Sequence, residues 1–124
     1  MIEVVAGIIQ KDGKILIARR KEGQHMEHLW EFPGGKIEEG ETPEQCIERE
    51  LFEEFEIKSK VGEFVAKSIF DYGVKTVRLC GYLVEYLSGE FVLNEHSEIQ
   101  WIEKSEFGNF EFCPADLPIV EALK

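Results

Sequence analysis

Between Gly35 and Ile57 the chain reads G-K-I-E-E-G-E-T-P-E-Q-C-I-E-R-E-L-F-E-E-F-E-I, nine glutamates offset only by Lys36 and Arg49. Like charges one helical turn apart repel, so a fold selected for stability alone would not gather them, and a cation is expected among them. The segment nevertheless carries strong helix signals. Thr42 is a natural N-cap, Pro43 suits the first helical position, and Gln45 completes a capping box, so a helix is predicted from there to about Phe55. At about 100° per residue, Glu50, Glu53 and Glu54 converge on roughly a quarter of its circumference. Ile47, Leu51 and Phe55, at i, i+4 and i+8, form the adjacent core stripe. The carboxylates therefore sit at the edge of the buried face, where each added negative charge is costly. Hard divalent cations want such oxygen ligands, and magnesium takes one or two carboxylates together with phosphates and waters. A solvated acidic helix face is the competing reading. Arg49 can pair with Glu41 or Glu53 and hold them in ligand orientation, or form an ordinary surface ion pair.

The rest of the chain bounds the function. Its 124 residues are read as one domain, 1–124, large enough for a layered core without disulfides. A net charge of −11, from 14 Lys+Arg against 25 Asp+Glu, argues against a nucleic-acid duplex as partner. A small anionic substrate fits if bound metal offsets the local charge. Cys46, Cys80 and Cys113 lack metal-ligand spacing and are expected to be buried and reduced. The N-terminus enters a strand-like run without a basic leader, and no apolar stretch reaches membrane-spanning length, so no membrane partner and a cytoplasmic location are expected.

Ile2 to Gln10 and Ile15 to Arg19 read as strands joined by the D-G turn Lys11-Asp12-Gly13-Lys14, and residues 21–29 as a polar loop. Trp30-Glu31-Phe32 is short and extended, with Pro33-Gly34-Gly35 breaking it. Three further strands are predicted near 61–70, 74–86 and 98–103, with a turn at Leu87-Ser88-Gly89. A helical turn at Ser105 to Phe107 and a final helix from Pro118 to Leu123 follow. The order β-β-β-α-β-β-β-α predicts an α/β (α+β) fold, a mixed sheet with helices on both faces.

The spacing G-x5-E-x7-R-E-L-x-E-E, met by Gly35, Glu41, Arg49, Glu50, Leu51, Glu53 and Glu54, is that of the Nudix box. From Val5 through Leu123 the chain resembles MutT-type Nudix hydrolases, sharing Ala18-Arg19-Arg20, His25-Met26, the run Trp30 to Glu38, and Pro114-Ala115-Asp116. The resemblance implies the Nudix fold, a mixed sheet sandwiched between helices. It implies Mg2+-dependent hydrolysis, with Mn2+ as a possible substitute, of nucleoside triphosphates to monophosphate and pyrophosphate. Metal ligands would be a carbonyl of Gly34 or Gly35 and the carboxylates of Glu50, Glu53, Glu54 and Glu95. Glu95 is preferred to nearby Glu98 for the ligand or base supplied by a later loop. Glu50, Glu53 and Glu95, aided by Arg49, would carry the catalysis, in which water attacks an internal phosphorus.

The same resemblance implies that Arg20 contacts the phosphates, that His25 contacts the nucleotide, and that Glu31, Phe32, Pro33 and Gly34 line its pocket. Tyr72 is either a second aromatic wall or core. Asp116 departs from the Asn of the best-known MutT enzymes, which donates and accepts. An ionised Asp only accepts, which suits the amine of cytosine or the Watson–Crick donors of guanine, while a neutral Asp still donates. A subgroup that cleaves CTP and modified deoxycytidine triphosphates carries Pro-Ala-Asp, so base preference stands open between oxidised guanine and cytosine nucleotides, for clearing the nucleotide pool. Asp116 is alternatively the N-cap of the last helix. Glu56 replaces the usual box glycine and puts the helix-end geometry in doubt, since left-handed backbone costs a non-glycine residue about 1 kcal/mol. Hydrolysis of another nucleoside diphosphate derivative, such as ADP-ribose or a dinucleoside polyphosphate, and a non-catalytic nucleotide-binding domain are the alternatives. The chain would act as a monomer or homodimer.

Overall fold

Asp12 and Gly13, with φ of 52° and 77°, close the hairpin between β1 (Ile2–Lys11) and β2 (Lys14–Arg20) in the conformation that matches strand twist. The structure, a computed structural model of residues 1–124, shows both strands buried on two faces. Ala6, Ile8, Ile15 and Ile17 enter one apolar cluster, and Val5, Ile9, Leu16 and Ala18 the other. Strands buried on both faces need cover on both. On one side α1 (Pro43–Phe55) supplies Cys46, Ile47, Leu51 and Phe55, all without solvent exposure. Burial of each large side chain is worth about 1.5–3 kcal/mol. On the other side α2 (Leu117–Leu123) and two 3-10 turns, Lys104–Asn109 and Pro114–Asp116, contribute Phe107, Ala115, Ile119, Val120 and Leu123. The predicted sandwich of a mixed sheet between helices is thus present.

The remaining strands are β3 (Trp30–Glu31), β4 (Gly34–Lys36), β5 (Lys58–Asp71), β6 (Thr76–Ser88) and β7 (His96–Ile102). The main path runs β3-β2-β1-β6-β5, with β4 on β1 and β7 on β2. Only β1 and β6 pair in parallel; every other pair is antiparallel. Pairing of β6 with β5 persists to Ser88, opposite Lys58, so Leu87 and Ser88, expected in a turn, lie in the strand, and the chain leaves it at Gly89, where φ is 107°.

One feature of the sheet escaped the sequence. After Ile15, β2 leaves β1, and β3 and β4 fill the gap: Glu31 lies opposite Ala18, Gly35 opposite Val5, and the Gly7 N–H donates to the Pro33 carbonyl at 2.7 Å. Pro33 therefore does not end the extended chain, and strand pairing resumes at Gly34. Glycine is needed there, because a Cβ on Gly34 would lie 1.9 Å from the Val5 carbonyl oxygen. This wedge brings Glu31, Phe32 and the glycine pair to the middle of the molecule.

The Thr42–Gln45 capping box forms with both hydrogen bonds, Gln45 N–H to Thr42 Oγ1 and Thr42 N–H to Gln45 Oε1. At the far end Glu56 itself adopts the left-handed conformation, φ 59° and ψ 36°, and its N–H reaches the Phe52 carbonyl. The box geometry survives without its glycine, against the expectation raised by the substitution. All three cysteines are free; Cys46 and Cys113 are buried as expected, but Cys80 is only half-buried. No helix is long and apolar enough to cross a membrane.

Candidate active site

The acidic stripe of α1 opens on a wholly polar cavity of about 220 Å³. Glu50, Glu53 and Glu54 line it from the helix, Glu31 and Gly34 from the wedge, Arg20 from the end of β2, Glu95 from the loop just before β7, and His96 from the first position of β7. Five carboxylates thus face one another with a single arginine among them. Glu98 lies elsewhere, paired with Arg19 at 3.8 Å.

Arg49 stands behind this wall and braces it. Its Nε and Nη2 grip both oxygens of Glu41 at 2.5 and 3.0 Å, while Nη1 donates to Glu50 Oε1 at 2.8 Å and Glu53 Oε2 at 3.0 Å. Hydrogen bonds from Arg49, and then from the Glu38 N–H, lower the Glu41 carboxyl to about 2. Both partners named for Arg49 from sequence, Glu41 and Glu53, are thus engaged together with Glu50.

Glu54 is the most buried of these five carboxylates, 5% exposed, and its Oε1 has no hydrogen-bond partner. Burial first, then neighbouring Glu50 and the charges of Glu31 and Glu95, push its carboxyl up to about 10. His96, 4% exposed, was invisible to sequence reasoning as a site residue. Its Nε2 lies 2.8 Å from Glu31 Oε2, its ring stacks on Phe55, and its Nδ1 stands 3.8 Å from Glu54 Oε1, too far for a hydrogen bond. Glu31 in turn accepts from Arg20 Nη1 at 3.0 Å through its other oxygen. The only sequence signal was a histidine beside the preferred loop glutamate; its partner is 65 residues away.

A second cavity, of about 160 Å³ and partly apolar, adjoins the first and shares Arg20, Glu31 and Gly34 with it. His25, Phe32, Tyr72, Gly35 and Asp116 line it. Phe32 packs among Phe107 and Phe112, and His25 meets Tyr72 edge to face at 5.0 Å. Burial, then Lys75 and Arg20, hold His25 below its ordinary range. Asp116 is 4% exposed, and its Oδ1 accepts from the Phe32 N–H at 3.0 Å. It occupies the N-cap position of α2 but makes no capping bond. Burial and then Glu31 raise its carboxyl well above the usual range, opposed by the Phe32 N–H and Arg20. Pro33, expected in the pocket, lines neither cavity.

The NUDIX domain profile matches residues 1–123. The chain belongs to the NUDIX family. It is a MutT-type Nudix hydrolase, similar to proteins that act on nucleotides. The CTP pyrophosphohydrolase of Escherichia coli is 40% identical over 123 residues, covering 99% of this chain and 91% of the relative. The 8-oxo-dGTP diphosphatase of Haemophilus influenzae is 38% identical over 124 residues, covering 99% of this chain and 91% of the relative. The 8-oxo-dGTP diphosphatase of E. coli is 36% identical, covering 99% and 96%. Among solved structures, the E. coli ORF135 protein superposes with a TM-score of 0.88 at 40% identity, covering 99% of this chain and 88% of that one.

In this Nudix hydrolase the box glycine has a spatial reason. A Cβ on Gly35 would lie 2.4 Å from the Glu50 carboxyl carbon. Gly35→Ala is therefore expected to displace the Glu50 carboxylate while the strand persists; were Glu50 a ligand to a divalent metal, affinity for it would fall about tenfold, the lower end for disturbing such a ligand's surroundings. Isothermal titration with Mn2+ reads this; unchanged affinity would show that Glu50 tolerates the shift.

Proposed function

We propose that this Nudix hydrolase cleaves (deoxy)nucleoside triphosphates to the monophosphate and pyrophosphate, with cytosine nucleotides, oxidised-guanine nucleotides or both as its substrates. The observation that carries the reading is the pair of joined cavities. One is wholly polar and rich in carboxylates, the other is walled by Phe32 and Tyr72, and Arg20, Glu31 and Gly34 stand between them. A nucleotide spanning the junction would place its base beside Asp116, its phosphates past Arg20, and the scissile bond before Glu50, Glu53, Glu54 and Glu95.

The donor set fits a hard divalent cation, magnesium by preference and manganese as a substitute. The partnerless Oε1 of buried Glu54 faces a group of carboxylates that only positive charge would make comfortable. Arg49 engages one oxygen each of Glu50 and Glu53, leaving the other oxygen of each for a cation. Glu50, Glu53, Glu54 and Glu95, with a carbonyl of Gly34 or Gly35, would hold it. When bound, the cation would lower the pKa of water and neutralise charge on the phosphates. The chain does the rest. Arg20, fixed by Glu31 and the His25 carbonyl, orients the phosphates. A carboxylate among Glu50, Glu53 and Glu95 that is not fully engaged takes the proton of the attacking water. All these residues come from one chain, and a cytoplasmic location would fit a substrate of this kind.

A steady-state panel of CTP, dCTP, 5-methyl-dCTP, dGTP and 8-oxo-dGTP with Mg2+ tests the reading. Pyrophosphate release is expected, with kcat/KM for the best cytosine or oxidised-guanine nucleotide well above that for dGTP. Turnover confined to ADP-ribose or dinucleoside polyphosphates would overturn it.

A further inference from the structure

Glu56 stands where the Nudix box has glycine, yet its side chain does not line the polar cavity. It turns the other way, to Asn94, whose Nδ2 donates to Glu56 Oε2 at 3.1 Å. The same amide donates to the Glu53 carbonyl at 2.9 Å, and the Asn94 N–H to the Glu54 carbonyl at 3.1 Å. The Val92 N–H reaches the Phe55 carbonyl at 3.0 Å. The last carbonyls of a helix have no partners within it. In this chain a loop some 40 residues downstream satisfies three of them, and the next residue in that loop is Glu95.

Packing alone would hold this loop weakly. Phe91 is anchored against Phe55 and Trp101, but Val92 and Leu93 are 42% and 40% exposed. From Val92 onward its position relative to α1 is set mainly by the hydrogen bonds to the helix end. Asn94 contributes two of its own donors to carbonyls of the two residues, Glu53 and Glu54, whose side chains share the cavity with Glu95.

We propose that Asn94 is a positioning residue that sets Glu95 against Glu53 and Glu54, and that Glu56 is its anchor. The left-handed Glu56, a strained substitute for glycine, gains in return a side-chain acceptor that glycine lacks. The inference rests on the reading of these carboxylates as metal ligands, and Asn94 itself touches neither substrate nor metal.

The test is Mn2+ binding to the metal-free protein, followed by electron paramagnetic resonance, alongside kcat and KM. Asn94→Ala should weaken Mn2+ binding about tenfold and lower kcat by a similar factor, with nucleotide KM unchanged. Glu56→Ala, the milder variant, should produce a smaller loss in the same two quantities, while Glu56→Gln, which keeps an acceptor, should restore both. Because Asn94 acts through Glu95, adding Asn94→Ala to Glu95→Gln should cost nothing further in either quantity. Losses that multiply in the double variant, or Mn2+ affinity within twofold of the parent in Asn94→Ala, would overturn the proposal. Wild-type Mn2+ affinity and kcat in Glu95→Gln would sink the reading of Glu95 and this proposal with it.

Discussion

Glu54→Gln is expected to lower kcat about 10³-fold while the protein stays folded. Charge stabilisation by a bound metal is worth several kcal/mol, and each 1.36 kcal/mol is tenfold in rate, so losing the carboxylate proposed above as a principal ligand would be a loss of that order. Glutamine fills the same space in a site that is 5% exposed, so packing around Phe55 and His96 persists. The substitution also has a proton signature. Burial first, with Glu50, Glu31 and Glu95, lifts the carboxyl from an ordinary 4.5 to about 10, so at pH 7.5 the metal-free protein holds this proton. A metal held by this carboxylate would have to expel it. Calorimetry in buffers of different ionisation enthalpy should detect close to one proton released per Mg2+ bound by the parent and none attributable to Glu54→Gln.

The sign of the stability effect follows. With the folded pKa raised, the unfolded chain ionises first as pH rises. The contribution of the protonated carboxyl is complete below about 4.5 and is lost as pH climbs toward about 10. Glutamine cannot ionise, so the metal-free variant should lose less stability than the parent between those limits. A variant whose Tm falls with pH as steeply as the parent's would contradict the burial of an unpaired carboxyl.

Asp116→Asn is expected to change which base is accepted more than how fast chemistry runs. The Phe32 N–H occupies Oδ1. An asparagine would have to keep its oxygen on that N–H and turn its amide, a pure donor, toward the ligand. Aspartate instead presents an oxygen that accepts when ionised and donates when neutral. The variant should therefore lose kcat/KM for cytosine nucleotides, whose exocyclic amine needs an acceptor, relative to 8-oxo-dGTP, whose O6 needs a donor. A pair of such contacts is worth about 1–3 kcal/mol, so the ratio should move about 10- to 100-fold. Because burial and Glu31 keep the carboxyl's pKa high, use of its ionised form should make the parent's kcat/KM for cytosine nucleotides rise with pH. The asparagine variant should lack that rise. An unchanged substrate ranking would leave Asp116 a purely structural partner of Phe32.

Local periodicity made the helix legible. Thr42, Pro43 and Gln45 announced its start, and a 100° repeat placed Glu50, Glu53 and Glu54 beside the stripe of Ile47, Leu51 and Phe55. The box spacing carried the family, and with it the region of the site. What stayed hidden depends on pairing between distant segments. The wedge of β3 and β4 between β1 and β2 cannot be read from Pro33-Gly34-Gly35, which looks like a break until the Val5 carbonyl is seen against Gly34. His96 resembles any strand residue until β7 lays it beside Glu31. Asn94 resembles any loop asparagine until it meets the end of α1. Glu56 looked like a defect at the helix end because propensity counts the left-handed cost and not the distant partner.

Phosphorus-31 NMR of the products formed from CTP and 8-oxo-dGTP in the presence of Mg2+ bears directly on the reaction assigned to the two joined cavities. Nucleoside monophosphate and pyrophosphate should appear in equal amounts, and Glu54→Gln should form neither at a comparable rate. Inorganic phosphate with the nucleoside diphosphate, or no pyrophosphate from either nucleotide, would contradict it.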